Sequence, residues 1–249
     1  MCVLSVFVNV AGIGIGYLFA VLFHKKVNRT KELALLSGLG NTGFIGIPLC
    51  AVLLGPEGAL YAAMFDAGVD VTLWTLGAFM LQKDRRIGLG MLRTMINTPI
   101  IAIVAGLGMA AARFRPPEVL VDLIDRLAAI AAPLAMFYIG ILVMTLFRKR
   151  AEGSLGQKKA TLWLPVSVKL IILPVFAAML GKGLALDATM LQTVMIQSMM
   201  PTLTLASMLF AKYSADEEMG AITTVCSTLV ALLTIPLMIY ALNAWVVGG

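Results

Sequence analysis

Long apolar runs recur from one end of this chain to the other, and no other feature limits its fold as strongly. A helix of about 20 residues spans the roughly 30 Å hydrocarbon core of a bilayer. Eight runs of that order can be read, at 3–23, 33–54, 59–81, 94–112, 120–147, 162–180, 188–211 and 219–244. Only 13% of the 249 residues are charged, about half the share found in soluble domains. In hydrocarbon each backbone N–H and C=O must be satisfied within the protein, which a helix achieves inside a single segment. The expected fold is therefore an all-α polytopic membrane protein with eight transmembrane helices.

The charges sit between the runs. Lys25, Lys26, Arg29 and Lys31 follow the first; Lys83, Arg85, Arg86 and Arg93 follow the third; Arg148, Lys149, Arg150, Lys158 and Lys159 follow the fifth. The intervening connections are poor in net positive charge, so the basic loops are placed in the cytoplasm and both termini outside. The acidic loop "KYSADEEMG" falls on the cytoplasmic side by parity, and acidic residues contribute little to that rule. The net charge of +6 then marks orientation and does not indicate nucleic acid. Cys2, Cys50 and Cys226 lie within or beside apolar runs at no ligand-like spacing, so neither a disulfide framework nor a metal site is expected. His24 reads as a solvated loop residue, and the sequon at Asn28 lies on the cytoplasmic side. The first run lacks the basic flank and cleavage site of a signal peptide. Gly12 and Gly16 form a GxxxG pair suited to close helix packing.

Two runs are interrupted. "GNTGFIGIPL" places Asn41, Thr42, Gly43, Gly46 and Pro48 inside the second; "QSMMPTLTL" places Gln197, Ser198, Pro201 and Thr202 inside the seventh. Proline removes a donor and clashes with the carbonyl four residues back. Non-helical backbone at that depth is tolerated only where it lines a protein-enclosed or watery cavity. A half-helix that begins there presents free N–H groups and about half a positive charge, which suits a carboxylate. Each interrupted run has a long run on either side, so spans one to three resemble spans six to eight in layout. The offset of five spans turns the second set upside down, the pattern of secondary transporters with inverted repeats. By that symmetry the breaks, placed here at Pro48 and Pro201, are expected to cross. No cofactor is called for.

Charge within the runs is rarer still. Asp66 and Asp70 stand four apart in span three and share a helix face, and Lys169 lies well inside span six. Such residues usually face a cavity or a partner. One expectation is that Asp66 or Asp70 carries a proton, with Lys169 as counter-ion or carboxylate binder. "GLGNTG" has dinucleotide-fingerprint spacing at Gly38, Gly40 and Gly43, but a Rossmann reading needs a preceding strand and a βαβ unit. The chain offers no HExxH, no protease-like aspartate dyad and no nucleophile–histidine set, so an enzyme is not expected.

The stretch "GLGNTGFIGIPLCAVLLGPEGALYAAMFDAGVDVTLWTLGAFML" resembles the first crossover region of the auxin efflux carrier family. "NTPIIAIVAGLG", "AAPLAMFYIG", "SVKLIILPVF" and "MMPTLTLASMLFAKYSADEEMGAITTVCSTLVALLTIPL" are similar to its later segments, in order. The resemblance implies two inverted five-helix repeats, with a core moving against a scaffold and helices four and nine broken and crossing at the substrate. It further implies a carrier of small carboxylates such as malonate, malate or auxin in the plasma or inner membrane, and a homodimer. On this chain it leaves the family's first two helices without counterparts. Residues 1–82 become an incomplete first repeat, and 93–249 a second repeat of two scaffold and three core helices. Two alternatives stay open: a truncated, non-functional carrier, or a sodium-coupled symporter of the bile-acid type. The latter could draw on Asn41, Gln197 and Thr202, but neither break contains an acidic residue to anchor sodium.

Overall fold

The computed structural model describes residues 1–23, 29–82, 98–151 and 159–247, and among these it contains helices and no β-strand. Four helical stretches are long and apolar enough to cross a membrane: Cys2–Phe23, Thr42–Leu81, Leu162–Gly183 and Glu217–Ala241. His24, Lys25, Lys26, Asn28, Lys83, Arg85, Arg86, Arg93 and Lys158 lie outside the described residues.

Helix α1 (Cys2–Phe23) packs along α2 (Thr30–Gly38). The contact is close because small residues meet there. A Cβ on Gly12 would stand 2.9 Å from Gly38 Cα, and one on Gly38 would stand 2.6 Å from Ile13 N and 2.8 Å from Asn9 O. Gly16 abuts Ser37 and Ala34. Gly12 and Gly16 thus serve helix packing, as their spacing suggests.

After a break at residues 39–41 the chain re-enters helix through a π-turn, Thr42–Gly46, and continues as α3, Ile47–Thr72. Pro48 stands in the first turn of α3, so the break lies upstream of the proline and not at it. The cause is steric: the proline ring cannot fit under a regular i−4 carbonyl, and the widened π-turn before it relieves the clash. Pro174 follows a second π-turn, Val168–Ile172, in the same relation. Within α3 the helix bends at Gly55 (φ 74, ψ −164), next to Pro56. The bend falls between the runs read at 33–54 and 59–81, and glycine adopts its positive φ at no steric cost. A π-turn at Leu73–Gly77 and α4 (Ala78–Leu81) complete the stretch.

Helices α5 (Thr98–Ala111) and α6 (Glu118–Ala151) follow. Helix α7 (Lys159–Ser167), the second π-turn and α8 (Leu173–Gly183) form one apolar span. Then come α9 (Ala188–Ser198), an irregular stretch over 199–205, α10 (Ala206–Lys212) and α11 (Glu217–Val247). Asp187 caps α9, accepting from Met190 N at 2.8 Å. Leu33, Leu36, Phe65, Leu73, Leu173, Val194 and Phe210 join α2, α3, α8, α9 and α10 in one buried apolar core. Arg29, before α2, forms an ion pair with Asp216, which also caps α11 through Met219 N. The ion pair brings the start of α2 and the start of α11 together.

Candidate functional site

The two irregular stretches cross. Gly40 and Thr202 face each other as an isolated antiparallel bridge. Asn41 N donates to Pro201 O at 2.8 Å, and Leu203 N donates to Leu39 O at 3.2 Å. Backbone groups freed by one break are thus satisfied by the other, which removes a cost of several kcal/mol per orphaned group in hydrocarbon. Side chains tie the crossing further. Asn41 Nδ2 donates to Thr204 Oγ1 at 2.6 Å, while Asn41 Oδ1 caps the π-turn by accepting from Phe44 N at 3.3 Å. Thr202 Oγ1 donates to Leu36 O at 3.3 Å. From α11, Ser227 Oγ accepts from Thr202 N at 3.1 Å and Thr224 Oγ1 donates to Leu203 O at 3.1 Å.

Lys169 arrives from the π-turn of the sixth run. It is 1% exposed, and a Cβ on Gly40 would meet its Cε at 2.7 Å and its Nζ at 2.8 Å. Only glycine at position 40 lets the amine lie against the crossing. Lys169 makes no hydrogen bond or ion pair among the described residues, so the expected pairing with Asp66 or Asp70 is absent. A buried amine without a counter-charge is costly, and an anion beside it would offset that cost.

Opposite, Asp66 of α3 accepts from Thr42 Oγ1 at 2.5 Å. Its Oδ2 would stand 2.9 Å from a Cβ on Gly43, so that glycine makes room for the carboxylate. Asp70 stands one turn along the same helix and is half-buried. Gln197 is fully buried; its Nε2 donates to Ala62 O at 3.1 Å and its Oε1 lies against Gly46.

Of the residues singled out in the sequence, Asn41, Thr42, Gly43, Gln197, Pro201, Thr202, Asp66 and Lys169 come together around the crossing. Three do not. Asp70 stands a turn further along α3, Ser198 turns back to Met195 O at 2.7 Å, and Pro48 is exposed in the first turn of α3. Gly40, Thr204, Thr224 and Ser227 belong to the crossing as well. Thr224 and Ser227, three apart on α11, are the available signal, since residues at that spacing share a face. On the flank, Tyr138 of α6 is hydrogen-bonded to Ser207 of α10, and α6 packs against the π-turn Thr42–Gly46.

Membrane-length apolar helices around a buried polar crossing define a multi-pass membrane protein. The sequence matches the model of the membrane transport protein family over residues 1–88 and 85–239, and the chain belongs to that family, which includes the auxin efflux carriers. It is 28% identical over 214 residues to a Rhizobium meliloti (strain 1021) protein named "Putative malonate transporter", covering 82% of this chain and 65% of that relative. The chain thus spans slightly under two thirds of that relative's length. It is 24% identical over 224 residues to an uncharacterized transporter of Methanothermobacter thermautotrophicus, covering 90% of this chain and 72% of the relative.

Proposed function

We propose that this chain is a secondary carrier of small organic acid anions, of the malonate, malate or auxin-like type. In this reading eight spans form two inverted sets, and alternating access proceeds by motion of the crossing helices against a scaffold that includes α6. The basic loops face the cytoplasm, and the chain sits in the plasma or inner membrane. The observation that carries the proposal is the unpartnered Lys169 lying against Gly40 where the two interrupted segments meet. The substrate carboxylate takes its place beside that amine and near the capped start of the half-helix at Asn41. The Rhizobium relative, by its name, supports a dicarboxylate among the candidates.

Calorimetric titration of the purified chain in detergent tests the proposal, with malonate, malate and indole-3-acetate as ligands and chloride as control. Saturable binding of at least one carboxylate is expected, weakened at least tenfold in Asn41→Ala. That change removes a cap worth about 1 kcal/mol and a buried hydrogen bond worth about as much, so the fold survives it. Absence of binding, or binding indifferent to Asn41, defeats the proposal.

A further inference from the structure

A second feature of the crossing is left unexplained by an anion. Gln197 is fully buried, and its Oε1 finds no hydrogen-bond donor among the described residues. A buried acceptor without a donor costs about 1–3 kcal/mol, and one origin of such orphans is an ion that belongs in the place. The surroundings name the kind of ion.

Gln197 lies on the glycine face of the π-turn Thr42–Gly46. Its amide donates to Ala62 O on α3, while its oxygen faces Gly46. One helical turn from Ala62, the Asp66 carboxylate lies over Gly43 and accepts from Thr42 Oγ1. The carboxylate thus lies over Gly43 and the amide oxygen over Gly46, three residues along the same turn. With the Thr42 hydroxyl oxygen they make a row of hard oxygen ligands, and glycines at positions 43 and 46 keep side chains out of it. Hard cations take oxygen ligands. Among the described residues one carboxylate, Asp66, is shown against the π-turn, so a single positive charge balances it. The second carboxylate, Asp70, stands a further turn away.

We propose that Asp66, Gln197 Oε1 and Thr42 Oγ1 form a binding site for a monovalent hard cation, with sodium as the fitting ion. The interrupted segments themselves contain no acidic residue, but α3 delivers one to the break from 24 residues downstream. The cation site lies on the α3 side of the π-turn, whereas Lys169 lies against Gly40. Two guests of opposite sign would each meet a fixed charge of the protein, and the fully loaded crossing would be close to neutral. That is the form least costly to move through a bilayer.

Sodium binding can be measured without any carboxylate, which separates this inference from the carrier reading. The purified full chain is heated in sodium chloride or in choline chloride at equal ionic strength and fixed pH, and binding of radioactive sodium is measured in parallel. Sodium is expected to raise the melting temperature in a saturable manner, as a ligand of the native state must. Asp66→Asn and Gln197→Leu are expected to weaken sodium binding at least tenfold, while Glu57→Gln, at an exposed position, leaves it unchanged. If Gln197→Leu fails to fold, Asp66→Asn decides alone. Equal melting and no specific sodium uptake in the wild-type chain would overturn the site, as would wild-type sodium affinity in the variants. Malonate binding with no sodium binding overturns the cation site and leaves the carrier; sodium binding without carboxylate binding does the reverse.

Discussion

Lys169→Met is expected to make the protein more stable and useless as a carboxylate binder at once. The lysine is among the largest fully buried side chains, with Phe65 and Phe210, and it meets no partner of opposite charge among the described residues. Methionine is similarly long and flexible, so the packing is retained. Replacing buried ionic groups by apolar ones of like volume often stabilises by about 1–4 kcal/mol. A thermal melt should therefore move upward in Lys169→Met, while calorimetric malonate affinity falls at least a hundredfold. A merely structural lysine gives the opposite pair of results: a lower melting temperature, and binding lost only in proportion to unfolding. Sites kept for function at the expense of stability behave as the first case describes.

Gly38→Val is expected to be the most damaging single change to the fold. The added Cβ would stand 2.6 Å from Ile13 N and 2.8 Å from Asn9 O. Both are backbone atoms of α1, so no rotamer change can relieve the clash, and the two helices must separate. Overpacking of this kind costs about 1–3 kcal/mol, and more where backbone must shift. Helix α2 also leads directly into the crossing, and its displacement carries Leu39, Gly40 and Asn41 with it. Size-exclusion chromatography of the detergent-purified variant should show aggregation or a melting temperature far below wild type. Gly14→Val is the control, because a Cβ at Gly14 meets nothing within 4 Å.

Much of this arrangement can be read from residues, and what cannot has physical causes. Run length and the scarcity of charge predict apolar membrane helices, since backbone satisfaction in lipid leaves few options. The end of the second run at residue 54 is legible from the Gly55–Pro56 pair, where the helix bends. The break near Pro201 is legible because proline, threonine and the glutamine before it interrupt an apolar run. The other break is misplaced by sequence reasoning, because a proline can be absorbed by a π-turn and the chain instead opens at Gly40, where Lys169 needs the space. Asp66 and Asp70, four apart, share a helix face by their spacing. Which of them reaches the crossing depends on how α3 rotates against the π-turn, a tertiary matter that no periodicity contains. Lys169 was legible as an anomaly of charge. Its target, a glycine 129 positions earlier, was not.

Alternating access at the crossing is tested most directly by counterflow. Full-length protein is reconstituted into liposomes loaded with unlabelled malonate and diluted into a trace of radioactive malonate. Wild-type vesicles should accumulate label transiently above protein-free vesicles, and Lys169→Met vesicles should not. No accumulation with wild-type protein, or equal accumulation with the methionine variant, would contradict a carboxylate carried past the buried lysine.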